Sequence, residues 1–296
     1  MISIVIVSFS SNDMLKRCLE SVQAQRYKDK EIIVILNNPK AINVEEFKIR
    51  FKEINFIYND KNEYLASSYN KGILSSKAEY VLCMNDDVIL ENNYCSVAVD
   101  RIARNDRIGM FIGKIMRFDH KTIDTTGLFL SGARTPLERG FGKKDNGQYG
   151  RAGVIFGVSG CCGMYKRSML ENIKDEFGYF DKRFKMFYED LDLCWRANNN
   201  GYKAYYDPCA VAYHKRSLSA SQRMPRLRFL QKYYFTHLTN QLQAQLIKNR
   251  VFTILKNDSI LAFIKNFLFI FYYDLKLCLY ICLLNPKLFI FIIFKT

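Results

Sequence analysis

YVLCMNDDVIL, at residues 80–90, predicts a buried strand that ends in two adjacent carboxylates. Its first residues are apolar or aromatic, as in a strand that is covered on both faces. Asp86 and Asp87 follow after Asn85, although adjacent carboxylates repel each other and lose hydration when they are buried. Two interpretations stay open: a solvated turn in which an aspartate caps a helix, or a site in which Mg²⁺ or Mn²⁺ neutralises both acids.

The residues before this stretch predict repeated strand–helix units. Apolar runs rich in β-branched residues alternate with amphipathic stretches. Predicted strands cover residues 2–9, 31–36, 54–58 and 80–84, and helices near 12–22, 44–51 and 66–76 lie between them. This alternation predicts an α/β fold with a mostly parallel, Rossmann-like central sheet and flanking helices.

Polar side chains gather where these strands end. They are Ser8, Asn37, Asn62 and Asp86, one after each strand in turn. In open parallel sheets, ligands bind in the crevice beyond the carboxyl ends of the strands. We therefore expect one crevice to collect all four positions.

Residues 117–158 differ in composition, because glycines alternate there with arginines and lysines. This pattern predicts a mobile or ligand-ordered loop without regular structure, or a solvated basic insertion. Farther along, "KAYYDPCAVAYH" predicts a strand, an Asp-Pro turn and a second strand that ends at His214. His214 is either a structural histidine or a third ligand of a divalent cation, and the Lys215 and Arg216 beside it could contact phosphate.

A second acidic cluster consists of Glu189, Asp190 and Asp192, at the start of a predicted helix that Gly201 ends. The helix dipole stabilises acids in a first turn, so a structural role is one interpretation. The neighbours are aromatic and apolar, however, and an ionised carboxylate held there could accept a proton from an attacking hydroxyl. Both interpretations stay open at this point.

From about residue 224 the chain is predicted to be helical and increasingly apolar. Charged residues interrupt the apolar run, which disfavours a simple membrane-spanning helix and favours amphipathic helices in a membrane interface. A helical cap packed on the domain, or a dimer contact, is the alternative. The basic residues outnumber the acidic ones by 44 to 29, a net charge of +15, which indicates an anionic partner such as a nucleic acid, a membrane or a phosphorylated substrate.

The nine cysteines are scattered and form no CxxC pair, which predicts reduced, buried thiols in a cytosolic protein and excludes a disulfide framework. The first residues, "MISIVIVSF", are typical of a first strand and not of a signal peptide. An apolar share of 49% excludes wholesale disorder.

In their order, these features resemble the family 2 glycosyltransferases with a GT-A fold, particularly the bacterial rhamnosyltransferase-like branch that builds surface polysaccharides. The resemblance covers residues 2–217 and rests on "ISIVIVSFSSNDMLKRCLESV", "NEYLASSYNKGI", the DxD-type "NDDV", "RGFGKKDNGQYG", "SGCCGMYKRSML" and, most specifically, "FGYFDKRFKMFYEDLDLCWRANNNGYK". It implies a GT-A catalytic domain over residues 1–217 and a helical, membrane-interface region over residues 218–296. Leu36 and Glu63 depart from the family pattern, which usually has a base-reading aspartate and a glycine at these places.

The resemblance also implies a role for each site residue in an inverting sugar transfer. Asp87 would hold Mn²⁺ or Mg²⁺ on the donor diphosphate, Asp86 would support the metal or contact the ribose, and His214 would complete the metal site. Asp190 would be the general base, and Glu189 would place the acceptor or share that role. The nucleotide pocket would be lined by Ser8, Asn37, Asn62 and Asn70.

We therefore predict a metal-dependent enzyme that moves a sugar from dTDP-rhamnose or a UDP-sugar to a hydroxyl of a growing, lipid-linked bacterial surface glycan. It would lie peripherally on the cytoplasmic face of the inner membrane and bind no nucleic acid. Its oligomeric state is left open, and a homodimer is one of the alternatives. One alternative is a sugar-nucleotide nucleotidyltransferase, although the expected Gly-rich signature with a basic residue is missing after "ISIVIVSF". The other alternative is a non-catalytic, basic membrane-binding or nucleic-acid-binding protein.

Overall fold

A computed structural model describes residues 1–9, 12–38, 44–216 and 238–294. The described chain divides into two compact units. The first contains Met1–Phe129 and Leu137–Arg216, and the second contains Leu130–Pro136 with the described part of Ser217–Thr296. The predicted boundary at residue 217 falls outside the described residues, and no feature of the sequence indicates that Leu130–Pro136 belongs with the second unit.

The strands and helices are defined as follows. The strands are β1 (Ile2–Ser8), β2 (Lys30–Leu36), β3 (Asn55–Tyr58), β4 (Tyr80–Asn85), β5 (Val88–Leu90), β6 (Ile108–Arg117), β7 (Ile123–Thr125), β8 (Leu128–Leu130), β9 (Pro136–Glu138), β10 (Gly153–Ile155), β11 (Cys162–Lys166) and β12 (Lys203–His214). The helices are α1 (Asn12–Gln23), α2 (Val44–Arg50), α3 (Tyr64–Leu74), α4 (Tyr94–Ala103), α5 (Arg167–Ile173), α6 (Glu189–Asn199), α7 (Asn240–Asn257), α8 (Ile260–Leu284) and α9 (Lys287–Phe294).

Strand β1 is the centre of the parallel half of the sheet. All of its residues are buried, and it pairs in parallel with β2 on one side and β4 on the other, while β2 pairs in parallel with β3. The predicted parallel arrangement of these strands is confirmed. Because parallel strands end at the same edge, the residues that follow Ser8, Leu36 and Asn85 lie along one side of the sheet.

The other half of the sheet is mixed, in the order β4–β11–β6–β12–β10. β11 runs antiparallel to both β4 and β6, whereas β6 and β12 are parallel. The short β5 pairs antiparallel with the end of β12, with Val88 opposite His214. This pairing brings the acids that follow β4 next to the last residue of β12, which lies far away in the sequence.

Strand β12 corrects the prediction of two strands separated by an Asp-Pro turn. It runs without interruption from Lys203 to His214, but its register with β6 shifts between the pairs Asp207–Gly113 and Val211–Lys114. The residues between these pairs bulge out of the ladder. Proline has no N–H to donate to a neighbouring strand, so a bulge accommodates Pro208 better than a regular ladder would.

The glycine-rich segment is also more regular than its composition predicts. β7, β8, β9 and β10 all lie within it, so the prediction of a segment without regular structure is wrong. Glycines occupy the turns between these strands, as at Gly127 and Gly140, whose φ angles of 114° and 82° favour a residue without Cβ. The strands themselves form by pairing with other strands, β7 with β6, β8 with β9 and β10 with β12, which local composition does not report.

Within the second unit, the guanidinium groups of Arg134 and Arg250 hold the Leu130–Pro136 segment to the helices. Arg134 Nε lies 2.6 Å from Asp258 Oδ2, and both side chains are buried. Arg250 Nη1 lies 2.6 Å from Asp274 Oδ1, and Nη2 of the same guanidinium donates to the carbonyl oxygen of Ala133. Asp274, which interrupts the apolar run in the sequence, is therefore neutralised by Arg250.

Helix α8 exposes many large apolar side chains. Leu261, Leu268 and Leu283 are 81%, 76% and 74% exposed. Among the described residues, α8 is the one helix that is long and apolar enough to cross a membrane, and 17% of its most apolar window is buried. Such a surface is unusually apolar for contact with water.

Gly113 provides a test of the sheet packing. A Cβ at Gly113 would lie 2.1 Å from the carbonyl oxygen of Ala210, so Gly113→Ala must displace backbone at the bulge of β12. We expect this substitution to lower the free energy of unfolding by roughly 1–3 kcal/mol, measured by denaturant titration. Gly153→Ala is the matched control in the same sheet, because a Cβ there would meet nothing within 4 Å. Equal stability of the two variants would contradict the packing described.

Candidate active site

Asp86 begins the turn after β4 and is bonded to the end of β1. Ser8 Oγ donates a hydrogen bond of 2.6 Å to Asp86 Oδ2. Burial raises the pKa of Asp86 to about 6, the hydrogen bond from Ser8 opposes this shift, and the neighbouring charge of Asp87 adds to it. The structure thus brings together two residues that the sequence placed at the ends of different strands.

His214 lies between two carboxylates. Its Nε2 is 3.1 Å from Asp87 Oδ1, and its Nδ1 is 2.8 Å from Asp124 Oδ2. Burial alone would lower the pKa of His214, but Cys161 and the hydrogen bonds to Asp124 and Asp87 raise this pKa well above its usual value. A protonated imidazole therefore balances the two carboxylates, and a cation bound at Nε2 would replace that proton.

The residues around Nε2 of His214 fit a hard divalent cation. The 3.1 Å between Nε2 and Asp87 Oδ1 is close to the spacing of neighbouring ligands around an octahedral ion with bonds of about 2.1 Å. Carboxylates suit Mg²⁺ and Mn²⁺, and Asp86 supplies a second one directly beside Asp87. Asp87, Asp86 and His214 are thus the residues that would hold the ion.

The Nδ1 edge of the imidazole, opposite Nε2, is less suited to such an ion. Donor atoms of Asp124, Cys161 and His214 do lie within 4.8 Å of one another. However, burial raises the pKa of the Cys161 thiol, which disfavours a thiolate ligand, and the Arg216 guanidinium already contacts Asp124 Oδ1 at 2.5 Å. A cation that also binds a diphosphate needs open positions, which this buried face does not offer.

In the second acidic cluster, Asp192 has a structural contact, whereas Glu189 and Asp190 are the candidate site residues. Asp192 Oδ2 accepts a 2.8 Å hydrogen bond from Arg196 one turn along α6, and the Arg196 guanidinium also donates to the carbonyl oxygens of Ile173 and Tyr179. Asp192 therefore stabilises the packing of α6. Glu189 and Asp190 are left to form the site.

Asp190 is held by backbone donors. Its Oδ2 accepts a 2.9 Å hydrogen bond from the N–H of Gly160, and its Oδ1 accepts one of 2.7 Å from Leu191. Burial raises the pKa of Asp190, and these two hydrogen bonds act against that shift because they favour the ionised form.

Glu189 has a different environment, although it is the next residue. Its side chain is buried, and its Oε2 has no hydrogen-bond partner within the described ranges. Burial, and then the charge of Asp190, raise the pKa of Glu189 to about 8. Burial raises the pKa of both acids, and the backbone hydrogen bonds to Asp190 oppose its shift, so of the two acids Glu189 has the environment that favours the protonated form more.

Residues 159–162, which precede and begin β11, connect the two acidic clusters. The N–H of Gly160 binds Asp190, as described above, and the carbonyl oxygen of Cys161 accepts a 3.0 Å hydrogen bond from the N–H of Asn85. A Cβ at Gly160 would lie 3.3 Å from Asp190 Oδ2, so a glycine allows the carboxylate to approach the backbone closely. One short segment thus contacts both Asp190 and Asn85, the residue that precedes Asp86 and Asp87.

The asparagines predicted to line the nucleotide pocket make hydrogen bonds within the protein. Asn37 Oδ1 accepts hydrogen bonds from Asn59 Nδ2 and from the N–H of Glu63, and Asn37 Nδ2 donates to the carbonyl oxygen of Tyr64. The exposed Asn62 caps the N–H of Tyr64. Asn70 exchanges two hydrogen bonds with the backbone of Phe180. Asn37 and Asn70 thus have both ends of their amides engaged, and nucleotide contacts by the three asparagines stay a prediction.

Asp124, Glu138 and Gly160 have no role predicted from the sequence, although each contacts a site residue or its neighbour. Glu138 Oε1 accepts a hydrogen bond from Ser159 Oγ and lies 3.4 Å from Arg216 Nη2, and burial raises the pKa of Glu138 to about 7. Arg216 thus contacts two acids, and its expected contact with phosphate stays a prediction. In the sequence Asp124 is a single acid between an isoleucine and a threonine, and this local pattern gives no signal of a site.

Comparison with known sequences gives two findings. A model of the family described as glycosyl transferase family 2 matches residues 3–174. The chain is also 25% identical over 223 residues to poly-beta-1,6-N-acetyl-D-glucosamine synthase of Staphylococcus aureus (strain MSSA476), an alignment that covers 72% of this chain and 49% of the relative. The protein of the same name from Staphylococcus epidermidis is 24% identical over 215 residues. The chain spans about half the length of these curated relatives.

Solved structures with similar folds have low sequence identity. The crystal structure of GalNAc-T7 with UDP, GalNAc and Mn²⁺ aligns with a TM-score of 0.62 and 14% identity, over 85% of this chain and 48% of that one. The mannosyltransferase PcManGT from Pyrobaculum calidifontis, in complex with GDP-Man and Mn²⁺, aligns with a TM-score of 0.56 and 14% identity, over 98% and 72% of the two chains. These similarities confirm the predicted GT-A type of α/β fold.

The raised pKa of Glu189 predicts a pH dependence of stability. Because the folded state binds this proton more tightly than the unfolded chain, the resulting stability is complete below the ordinary glutamate pKa and is lost as pH rises through about 8. As the pH rises from 5.5 to 8.5, we expect the Tm of the wild type to fall by about a few degrees relative to the Tm of Glu189→Gln.

Glu171→Gln is the control for this measurement. Hydrogen bonds from Lys174 and Tyr179 lower the pKa of Glu171, so its contribution changes only in more acidic solution. Its Tm difference from the wild type should be flat across the same pH range. A flat difference for Glu189→Gln as well would show that Glu189 is ionised in the folded protein at neutral pH.

Proposed function

Because the chain belongs to glycosyl transferase family 2, we propose that it transfers a sugar from a nucleotide-sugar donor to a hydroxyl of a glycan acceptor, with inversion at the sugar carbon. The observation that carries this proposal is that one segment, residues 159–162, contacts Asp190 in one acidic cluster and Asn85 beside the other. Asp87 and His214 fit a divalent cation, and Asp190 is a half-buried carboxylate held by backbone N–H groups. An inverting transfer needs these two chemical functions at two separate places.

Asp87, Asp86 and His214 would hold Mn²⁺ or Mg²⁺ on the diphosphate of the donor. When bound, the ion supplies positive charge that stabilises the departing nucleoside diphosphate. The hydrogen bond from Ser8 keeps Asp86 in a fixed orientation at the end of β4. The protein's contribution on this side is to gather acids whose repulsion is relieved when the cation is bound.

Asp190 would act as the general base. Each of its oxygens accepts one backbone N–H and keeps lone-pair capacity for a proton from the acceptor hydroxyl. As that proton moves to Asp190, the acceptor oxygen bonds to the anomeric carbon. The bond from this carbon to the phosphate oxygen breaks, and its electron pair leaves with the diphosphate. The neutral Glu189 beside Asp190 could donate a hydrogen bond to the acceptor.

The donor and acceptor are proposed more coarsely. A UDP-sugar or dTDP-rhamnose fits the family resemblance, and the relatives found by comparison are named for N-acetylglucosamine, N-acetylgalactosamine and mannose. The name of the staphylococcal relative, a poly-N-acetylglucosamine synthase, supports a growing polysaccharide as acceptor. We propose that the acceptor is a lipid-linked bacterial surface glycan.

We propose that the second unit binds the cytoplasmic face of the membrane peripherally, with α8 lying in the interface. Its exposed leucines and phenylalanines supply apolar area, and the net charge of +15 favours a surface of anionic lipids. Lys265 and Lys276 on α8 can extend toward the headgroups while their methylene groups remain in the apolar layer. A homodimer remains an open alternative use of the same face.

Variants of Asp87 and Asp190 test the proposed division of roles. A panel of UDP-, GDP- and dTDP-sugars with Mn²⁺ should contain a donor that raises the Tm of the wild type, because a ligand that binds the folded state stabilises it. Asp87→Ala should lose this metal-dependent shift. Asp190→Asn should keep the shift but lower turnover by about 10²-fold or more, since it removes the base and leaves the metal site intact.

Asp192→Asn is the matched control for Asp190→Asn, because it removes an acid from the same helical turn that contacts Arg196. It should lower stability more than turnover per folded molecule. Near wild-type turnover of Asp190→Asn would show that the base is a different residue. Failure of every nucleotide sugar to shift the Tm of the wild type would contradict the donor class.

Substitutions on α8 test the membrane proposal. Leu261, Leu268 and Leu275 recur at intervals of seven residues and are exposed, so the triple change to glutamine should reduce binding to vesicles of anionic lipid at least tenfold. Leu74→Gln is the control, because Leu74 is 71% exposed but lies at the end of α3 in the first unit. Binding of the triple variant at the wild-type level would contradict the interfacial role of α8.

A further inference from the structure

Asp124 is a fully buried carboxylate that takes no part in the transfer proposed above. It lies in β7, where Ile123 pairs with Met116 and Thr125 pairs with the adjacent Ile115 of β6. Asp124 is therefore the extra residue of a β-bulge. Bulges change the direction of a side chain and are frequent beside active sites.

The two oxygens of Asp124 have different partners. Oδ2 is 2.8 Å from Nδ1 of His214, and Oδ1 is 2.5 Å from Nε of Arg216. A second guanidinium, that of Arg117, lies 3.8 Å from Oδ1. Burial of a carboxylate is costly unless it is paired, and these cations offset that cost while leaving Oδ2 for the imidazole.

We propose that Asp124 is a positioning residue for the metal ligand His214. By accepting the hydrogen bond from Nδ1, Asp124 fixes the rotation of the ring and leaves Nε2 facing Asp87, where the cation would bind. Arg216 fixes Asp124 in turn, through the other oxygen. This inference rests on the metal-dependent transfer proposed above.

A purely structural ion pair elsewhere in the fold offers a direct comparison. Asp207 is as deeply buried as Asp124, pairs with Arg101 at 2.6 Å, and accepts a hydrogen bond from the N–H of Cys209. It lies on β12, the strand that ends in His214. Asp207→Asn therefore removes a buried charge of the same kind without touching the metal ligand.

The first measurement is Mn²⁺ affinity of the full chain without donor, followed by the electron paramagnetic resonance signal of free Mn²⁺. In Asp124→Asn one of the two acceptor oxygens becomes an NH₂ group, so one of the two donors, His214 Nδ1 or Arg216 Nε, then faces a donor and not an acceptor. We expect the Kd for Mn²⁺ to rise by about 10–100-fold in this variant. In Asp207→Asn the Kd should stay within about twofold of the wild type, although the Tm falls.

The second measurement is turnover as a function of Mn²⁺ concentration. A positioning role predicts that excess Mn²⁺ restores kcat of Asp124→Asn to near the wild-type value, whereas Asp190→Asn should not be restored. Wild-type affinity in a folded Asp124→Asn variant, or a kcat that excess Mn²⁺ does not restore, would overturn the proposal. Absence of Mn²⁺ binding by the wild type would instead contradict the proposed function itself.

A measurement on the wild type covers the case in which Asp124→Asn does not fold. The chain has three histidines, so ¹⁵N-labelled imidazole signals can be assigned by comparison with His214→Gln. With Mg²⁺ bound, we expect Nδ1 of His214 to carry the proton and Nε2 to carry none. A proton on Nε2 under these conditions would overturn the positioning role.

Discussion

The burial of carboxylates at one edge of the sheet is the constraint on which the rest of the structure depends. Asp87, Asp124 and Glu189 are almost completely removed from water, and each needs compensation of a different kind. His214 lies between the first two, Arg216 contacts Asp124, and Glu189 keeps its proton. The chain as a whole is strongly basic, yet this edge concentrates negative charge, which is the arrangement that a cation and a diphosphate would complete together.

The parallel half of the fold could be predicted from sequence because its signals are local. Each strand from β1 to β4 is a short apolar run, and the helices α1, α2 and α3 that lie between these strands have their own periodicity. The mixed half could not be predicted in the same way. β7 to β10 are only three residues each, and β12 contains a bulge around Pro208, so their strand character comes from their partner strands and not from composition.

The two acidic clusters of the candidate site were identified from sequence because carboxylates restrict the chemistry, although a capping turn or a helix start would also explain them. The structure places both clusters near one segment, and the roles of their residues stay predictions. Asparagine is less informative, because its amide can bind backbone N–H and C=O groups as well as it can bind a ligand. Asn70, for example, bonds both the N–H and the carbonyl of Phe180. Asp124 shows the opposite difficulty, since its role depends on a bulge that no local pattern reveals.

The antiparallel strand β11 explains how two distant acidic clusters come to share one site. A continuous parallel sheet would place another strand-end turn beside Asp86, whereas β11 runs the other way and begins where β4 ends, with Cys162 opposite Met84. The residues before β11 therefore reach the edge with free backbone donors. Gly160 donates its N–H to Asp190, and the carbonyl oxygen of Cys161 accepts a hydrogen bond from the N–H of Asn85, so the backbone fixes Asp190 relative to the end of β4. A glycine suits residue 160, because a Cβ there would lie 3.3 Å from Asp190 Oδ2 and the carboxylate would have to shift slightly.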